Sequence, residues 1–287
     1  MNCMRIARIA SISFAPLLCL LLAFGCYPAT KVPLDTLRYD APDGDHRLLF
    51  VFLPGRGDAI TTFEKHGLVQ AVRARKINAD MIAVYAHLGY YEKGTIFARL
   101  KEDVIDPARA GGYKSIWLIG NSLGGYGSIS YALRHPDDIA GIVLLGPFLG
   151  DKKLIQEIRD AGGLQKWEPG DTSDKTAAGW ERQIWQWLKS GDRQNSFRIW
   201  IGNCDEGNRG CASRVYLGYG KRDRFSESQE LLAEYLPPGD VFVGNGGHDW
   251  DTWKKLWGLI LDRMTAKGSV VPAEISQLTE RLLPAHP

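Results

Sequence analysis

The sequence has no strong excess of charge of either sign, which sets aside one large class of partners. Its 287 residues carry 35 basic and 33 acidic side chains, for a formal net charge of +2 at pH 7. Proteins that bind nucleic acid neutralise phosphates with a clustered basic face, and no block of like charge occurs here. The sequence therefore predicts no nucleic-acid partner.

The short motifs that hold a metal ion or a nucleotide are also missing. None of the 6 histidines belongs to a His-Glu-x-x-His pattern, and the cysteines do not form two pairs at zinc-ligand spacing. The glycine-rich residues 120–125 are not a phosphate loop, because Tyr126 stands where a lysine is needed. They also fail as a dinucleotide fingerprint, since Ser122 replaces its middle glycine. We expect no metal and no cofactor.

Acidic residues are absent before Asp35. Arg5 and Arg8 precede an uncharged run over residues 9–30, which is typical of a signal peptide. Pro16 and two serines interrupt this run, and it ends in small residues, so a retained spanning helix of about 20 apolar residues is disfavoured. We assign residues 1–25 to a signal peptide and expect an exported protein.

Cysteines are few, and their positions fit export. Of the 5, Cys3 and Cys19 leave with the signal peptide. Cys26 ends the stretch Leu-Ala-Phe-Gly-Cys, which resembles a bacterial lipobox, although Phe24 departs from the usual small residue. The resemblance implies a lipid-modified Cys26 that anchors the chain to a membrane of the bacterial cell envelope. Simple secretory cleavage nearby and an uncleaved anchor are the alternatives.

Two cysteines remain, Cys204 and Cys211, so they can pair with each other. In an oxidising compartment they can form a disulfide that closes residues 205–210, whose two glycines suit a tight return. Two unpaired thiols are the alternative.

A Gly-x-Ser-x-Gly pattern at residues 120–124 is the main feature that the chain does contain. It follows the apolar run 115–119 and precedes a helix predicted over residues 125–133, so Ser122 lies on a strand-to-helix turn that exposes its hydroxyl. Gly120 and Gly124 let the neighbouring strand and helix approach.

A serine nucleophile needs a histidine to accept its proton and a carboxylate to orient that histidine. Asp223 and His248 each follow a strand-like run downstream of Ser122. This order resembles that of the α/β-hydrolase family of serine esterases and lipases, and the resemblance spans roughly residues 47–264. It implies that Ser122 attacks, His248 transfers the proton and Asp223 orients the imidazole.

Other carboxylates compete for the role of the acid: Asp151, Asp205, Asp249 and Asp251. Chain order disfavours the two that follow the histidine. Asp151 ranks next after Asp223, because some members of the family place the acid one strand earlier.

The loop after the first buried strand reads Pro-Gly-Arg-Gly-Asp, from Pro54 to Asp58. In the family this loop usually begins His-Gly, and it supplies one backbone N–H to the oxyanion hole. Carried over by position, the N–H of Arg56 pairs with that of Leu123, since only backbone donors are required. An ordinary strand-to-helix turn is the alternative.

Several cations accompany these loops: Lys221, Arg222 and Arg224 surround Asp223, and Arg56 lies in the oxyanion loop. They are either solvated loop charges or the recognition site of a substrate that bears a carboxylate or a phosphate.

Strand-like and helical segments alternate along the chain, which predicts an α/β fold with a doubly wound, mostly parallel sheet flanked by helices. We assign residues 26–46 to an extended tether, 47–266 to this domain and 267–287 to a peripheral tail. A small helical cap is inserted at about 147–213, and we expect most of its tryptophans to be core. Ser226 and Gln229 predict a capping box, and Trp250, Trp253, Trp257, Ile260 and Met264 mark the buried stripe of a final helix.

These features together predict a serine hydrolase that cleaves an acyl ester of a small-molecule substrate through an acyl-enzyme. Thioesterase, amidase or acyltransferase chemistry uses the same groups and stays open. An alternative of another class is a non-catalytic envelope lipoprotein that keeps the fold as a binding module. The sequence does not indicate an oligomeric state.

Overall fold

The structure, a computed structural model, describes residues 28–44, 47–173, 177–190 and 214–270. Within these ranges one sheet is formed by seven strands. They are β1 (Thr36–Tyr39), β2 (Leu48–Leu53), β3 (Asp80–Val84), β4 (Ser115–Asn121), β5 (Gly141–Leu145), β6 (Val215–Gly220) and β7 (Val241–Gly244). Cys26, Cys204, Cys211 and the predicted signal peptide lie outside the described residues.

The strand order is β1-β3-β2-β4-β5-β6-β7. Strand β1 is antiparallel to β3, and all other neighbours are parallel. Every residue of β2, β5 and β6 is buried, as expected for continuous apolar runs in a sheet that helices cover on both faces. The carboxyl ends of the parallel strands share one edge, which is where ligands bind in open α/β sheets.

Ten α-helices lie in the described ranges. They are α1 (Thr62–Lys65), α2 (Leu68–Ala74), α3 (Leu88–Glu92), α4 (Ile96–Leu100), α5 (Asp106–Ala110), α6 (Leu123–Arg134), α7 (Lys152–Asp160), α8 (Ala177–Lys189), α9 (Ser226–Ala233) and α10 (Trp250–Ala266). A π-helical stretch, Lys101–Ile105, joins α4 to α5, and a 3-10 turn, Pro238–Asp240, precedes β7. None of the helices in these ranges has the length and apolar character needed to cross a membrane.

Two apolar cores lie on the two faces of the sheet. Strand β2 shows how alternate residues divide between them: Leu49, Val51 and Leu53 face one core, whereas Phe50 and Phe52 face the other. The second core includes the stripe of α10 formed by Trp253, Trp257, Ile260 and Met264, all buried. The predicted doubly wound, mostly parallel α/β sheet is confirmed.

Two sequence-based predictions differ from the structure. The tether is wrong for Thr36–Tyr39, because these residues form the edge strand β1, with Thr36 paired to Val84. The tail is not peripheral at its start, since Val270 is buried and Ser269 Oγ lies 3.0 Å from Tyr216 Oη.

The described part of the predicted cap consists of residues 147–173 and 177–190, with α7 and α8. Its tryptophans pack as core, as expected: Trp167 and Trp185 are fully buried, and Trp185 Nε1 donates to Leu149 O at 2.7 Å. Helix α8 contacts α6 through Arg134, which donates to Gln183 Oε1 at 3.3 Å. The cap therefore rests on the helix that begins at the Gly-x-Ser-x-Gly turn.

Candidate active site

Ser122 sits at the turn between β4 and α6 in a backbone conformation that is unusual for a residue with a side chain. Its φ is +50° and its ψ is −114°, a conformation that costs of order 1–3 kcal/mol and persists only where the surroundings impose it. The surroundings do impose it: Ser122 N donates to Leu145 O at 3.1 Å, and Ser122 O accepts from Phe148 N at 3.0 Å. The turn is thus tied to the end of β5.

Two close backbone approaches explain the glycines of the motif. A Cβ on Gly120 would lie 2.1 Å from Gly124 O, and a Cβ on Gly124 would lie 1.9 Å from Leu53 O. Both distances are far inside van der Waals contact, so no side chain fits at either position. This is the role that the sequence analysis assigns to them.

The structure brings Ser122, His248 and Asp223 together in one hydrogen-bonded chain. Ser122 Oγ lies 2.9 Å from His248 Nε2. His248 Nδ1 lies 2.8 Å from Asp223 Oδ2 and 2.9 Å from Asp223 Oδ1. Asp223 follows β6 and His248 follows β7, so the parallel strands deliver both side chains to the edge of the sheet that carries Ser122.

Burial and packing fix the two partners of the serine. The Asp223 side chain is fully buried and that of His248 is 11% exposed, so their interaction is little screened by water. Asp223 Oδ1 also accepts from Phe225 N at 2.9 Å. The imidazole lies between the rings of Phe225 and Trp253, at centroid distances of 5.1 and 4.8 Å and nearly perpendicular to both.

The alternative acids are occupied elsewhere. Asp151 caps α7, with Oδ1 accepting from Leu154 N at 2.9 Å. Asp249 caps α10 by accepting from Thr252 N, and this hydrogen bond holds the pKa of its carboxyl below the usual value. Asp251 is exposed on α10, and Asp205 lies outside the described residues. Among the candidate acids that the structure describes, Asp223 is the one placed against His248.

The capping box predicted at Ser226 is wrong. Phe225 precedes α9, no side chain caps this end, and Ser226 is the first helical residue. Asp223 Oδ1 bonds the N–H of Phe225, which ties the chain down before Ser226.

The loop after β2 lies against the serine turn. A Cβ on Gly55 would lie 3.4 Å from Ser122 Cβ and 2.7 Å from Asn121 Nδ2. The N–H groups of Arg56 and Leu123 have no acceptor among the residues that the structure describes, so both are free to donate to a substrate oxygen. Arg56 belongs to the Gly55 loop and Leu123 begins α6.

Asp58 and Asn121 organise this loop, and the sequence analysis assigns them no role. Asp58 Oδ2 accepts from Gly55 N at 3.0 Å and from Asn121 Nδ2 at 3.1 Å. The contact joins residues 63 positions apart, so no local pattern announces it. Their proximity to a Pro-Gly turn and to the serine is the only signal that the sequence offers.

The described ranges hold no cluster of three or more histidine, cysteine or carboxylate side chains that could bind a metal ion. Among the other histidines, His87 caps α3 by accepting from Gly89 N at 3.2 Å, and burial lowers its pKa. His66 stacks on Trp250 with centroids 4.6 Å apart. Both contacts are structural.

Comparisons with known proteins address the fold. A family model described as alpha/beta hydrolase fold matches residues 95–194. No curated protein sequence matches the chain.

Many solved structures are similar to the chain. FphF, a fluorophosphonate-binding serine hydrolase of Staphylococcus aureus, is 16% identical over 80% of this chain and 97% of its own, with a TM-score of 0.53. Est1E of Butyrivibrio proteoclasticus is 12% identical over 82% and 95%, also with a TM-score of 0.53. An S-formylglutathione hydrolase of Staphylococcus aureus is 16% identical over 80% and 98%, with a TM-score of 0.50. The strand order, the serine turn and these similarities identify the α/β-hydrolase fold.

Proposed function

We propose that this protein is a serine hydrolase that cleaves a carboxylic ester through an acyl-enzyme. The hydrogen-bonded chain from Asp223 through His248 to Ser122 carries the proposal. A serine hydroxyl is a weak nucleophile at neutral pH, and a histidine within hydrogen-bond reach, itself oriented by a carboxylate, activates it. The buried Asp223 keeps the Nδ1–H tautomer, so Nε2 is left to accept a proton from Ser122.

The groups support a two-step reaction. Ser122 Oγ attacks the ester carbonyl carbon as its proton moves to His248 Nε2, and the carbonyl oxygen becomes an oxyanion that accepts hydrogen bonds from Arg56 N and Leu123 N. The C–O bond to the alcohol then breaks, and the alcohol takes the proton from Nε2. In the second step a water gives its proton to Nε2 and attacks the acyl-enzyme, which releases the acid and restores Ser122.

The same groups act on thioesters and amides, and they transfer an acyl group to an alcohol when water is excluded. The similar solved structures do not decide among these, since they include a ferulic acid esterase and an S-formylglutathione hydrolase. We place ester cleavage first because residues 246–250, Gly-Gly-His-Asp-Trp, resemble the histidine loop of the esterase branch. The ranking is tested with acyl esters, thioesters and anilides that share one acyl group.

A fluorophosphonate probe tests the serine mechanism and separates it from the non-catalytic alternative. It should modify Ser122 of the wild type, with the adduct located by peptide mass spectrometry, and it should leave Ser122→Ala unmodified. Hydrolysis of a neutral p-nitrophenyl ester by the same preparation should disappear in that variant. A folded wild type that neither reacts with the probe nor hydrolyses any ester in the panel is a binding module instead.

We also propose that the chain is exported and anchored to a membrane of the bacterial cell envelope through a lipid on Cys26. The support is the sequence pattern alone: Arg5 and Arg8, the uncharged run that follows, and the Gly25-Cys26 end. A disulfide between Cys204 and Cys211 stays a prediction of the same kind.

A further inference from the structure

Three arginines differ from the others in the described ranges. Almost every guanidinium there donates to a carboxylate, a backbone carbonyl or an amide, as Arg75 does to Asp262 and Arg263 to Asp240. The side chains of Arg56, Arg222 and Arg224 make no hydrogen bond and no ion pair with any described residue, and all three are exposed. Their charges are therefore available to a ligand.

All three lie on loops that carry the candidate catalytic groups. Arg56 follows Gly55 in the loop against Ser122, and Arg222 and Arg224 flank Asp223. Arg222 N donates to Gly246 O at 3.0 Å, which joins the Asp223 loop to the loop that bears His248. Three unpaired cations thus border one edge of the sheet, the edge where the ester must bind.

Arg224 has the best-defined position. Its guanidinium carbon lies 4.9 Å from the centre of the Phe225 ring, and that ring packs edge-on against the imidazole of His248 at 5.1 Å. The cation is therefore within about 10 Å of the imidazole. Stacking on an aromatic face orients the planar guanidinium and leaves its N–H edge free for a second partner.

None of the nearby carboxylates forms an ion pair with these arginines, and each accepts hydrogen bonds from other donors. Asp223 bonds His248 and Phe225 N. Asp249 bonds Thr252 N and Gly247 N, and Asp58 bonds Gly55 N and Asn121 Nδ2. The carboxylates balance the charge of the three guanidinium groups without contacting them, so the N–H groups of the arginines stay available to a ligand anion.

We infer that the substrate is an anionic ester, one that carries a carboxylate or a phosphate in addition to the bond that is cleaved. Arg224 binds this anion through its planar N–H edge, and Arg56 and Arg222 are further exposed guanidinium groups on the adjoining loops. The inference rests on the proposed hydrolase function and narrows it to one substrate class. The anion can belong to the acyl part or to the alcohol part of the ester, and the experiment below distinguishes the two.

Two matched pairs of esters test the inference. For the acyl part, mono-p-nitrophenyl succinate is compared with p-nitrophenyl butyrate. For the alcohol part, 4-acetoxybenzoate is compared with 4-acetoxybenzamide. Within each pair we measure the ratio of kcat/KM for the anionic ester to kcat/KM for the neutral one, in the wild type and in Arg224→Gln.

In at least one pair, Arg224→Gln should lower this ratio by about ten-fold, the size expected for loss of one charge-assisted contact at an exposed site. Arg224→Lys keeps the charge and loses the planar fork, so its kcat/KM ratio should lie between those of the wild type and of Arg224→Gln. Adding about 0.5 M sodium chloride should lower the wild-type ratio more than that of Arg224→Gln, because salt screens exposed charges.

Lys114→Gln is the matched control. Lys114 is exposed and precedes β4 at the end of the strand opposite to Ser122, so the substitution removes the same unit charge far from the site. Its ratio should equal that of the wild type. An equal fall in Lys114→Gln would assign the effect to net charge and overturn the inference.

The outcomes separate this inference from the proposed function. If the neutral esters are hydrolysed and Ser122 is labelled, yet neither ratio depends on Arg224, the anionic substrate class is wrong and the hydrolase stands. If no ester is hydrolysed and Ser122 is not labelled, both proposals fail together.

Discussion

At the residue scale, Gly146 leaves space for two groups that contact the imidazole of His248. It follows β5 with a φ of +52°, and a Cβ there would lie 2.4 Å from Trp253 Nε1 and 2.9 Å from Asp223 Oδ2. Trp253 in turn packs against the imidazole. The absence of a side chain at Gly146 therefore leaves room for the Trp253 indole and the Asp223 carboxylate beside His248.

Gly146→Ala should lower kcat by about a hundred-fold, because the methyl group displaces the indole and the carboxylate, and a displacement of about 1 Å can cost that much. The measurement is kcat and KM on a neutral ester, alongside the melting temperature. Gly268→Ala is the control, since Gly268 has a φ of +70° with nothing near its Cβ position. It should lose about 1 kcal/mol of stability and keep its turnover. Equal kcat values in the two variants would contradict this account of Gly146.

Asp58 holds the loop after β2, which bears Arg56, against the residue before Ser122. Asp58→Ala leaves Gly55 N–H and Asn121 Nδ2 without their acceptor, which should destabilise the fold by about 1–3 kcal/mol. Because the loop then no longer holds Arg56 N–H toward the oxyanion, kcat should fall by at least ten-fold with KM little changed.

Asp58→Asn is the conservative variant, because both hydrogen bonds fall on one oxygen, Oδ2, and an amide oxygen in that place still accepts both without the charge. It should recover part of both the stability and kcat. If Asp58→Ala changes stability but leaves kcat on a neutral ester intact, the loop does not position an oxyanion donor.

At the scale of whole elements, the contact between β2, β4 and α6 sets the serine turn. Helix α6 starts so close to the end of β2 that Gly124 lies against Leu53 O. Backbone atoms cannot move aside as a flexible side chain can, so this approach is rigid.

Gly124→Ala should therefore destabilise the protein by more than about 3 kcal/mol, or prevent folding, because its Cβ overlaps a backbone oxygen. Denaturant unfolding or soluble yield measures this. Gly258→Ala, within α10, is the comparison: its nearest contact is the end of the Arg75 side chain, and alanine is the better helix former by up to about 1 kcal/mol. Similar stability of the two variants would mean that the turn tolerates a side chain.

How much of this could be read from the sequence depends on how local each signal is. Strands β2, β4, β5 and β6 are continuous apolar runs that glycine or proline bounds, and this pattern predicts them well. Strand β1 is different: its residues are exposed or half-buried, and only its pairing with β3, more than forty residues later in the chain, defines it. Such non-local pairing leaves little local pattern.

The candidate site follows the same rule. Ser122, Asp223 and His248 each end a recognisable strand, so chain order predicts that they meet. Asp58 acts through contacts across the fold that no spacing in the sequence reveals. Helical spacing predicts that Trp253 is buried, but not that it packs against His248. At the start of α9 the local pattern favours a cap at Ser226, whereas in the structure the Asp223 carboxylate accepts from the backbone N–H of Phe225, one residue earlier.

At the scale of the whole molecule, the proposed lipid anchor is tested at Cys26. Cys26→Ser removes the residue that the lipobox pattern requires for lipid attachment. Expressed in a bacterial host, this variant should leave the membrane fraction or stay uncleaved, and the mature wild type should carry the mass of a lipid on Cys26. Unchanged partition and unchanged mass in Cys26→Ser would rule out lipidation at this position.

The central claim is that Ser122, His248 and Asp223 act as one catalytic unit, and a mutant cycle on kcat tests it most directly. Ser122→Ala and His248→Ala should each reduce kcat by about 10⁴-fold or more, and the double variant should be little worse than either, because groups that act together are not additive. Asp223→Ala should reduce kcat by a smaller factor, since the imidazole still accepts a proton but samples the wrong tautomer. Asp151→Ala, the control acid, should keep the wild-type kcat. Full activity in Ser122→Ala would contradict the account. So would a loss of activity in Asp151→Ala while Asp223→Ala keeps the wild-type kcat.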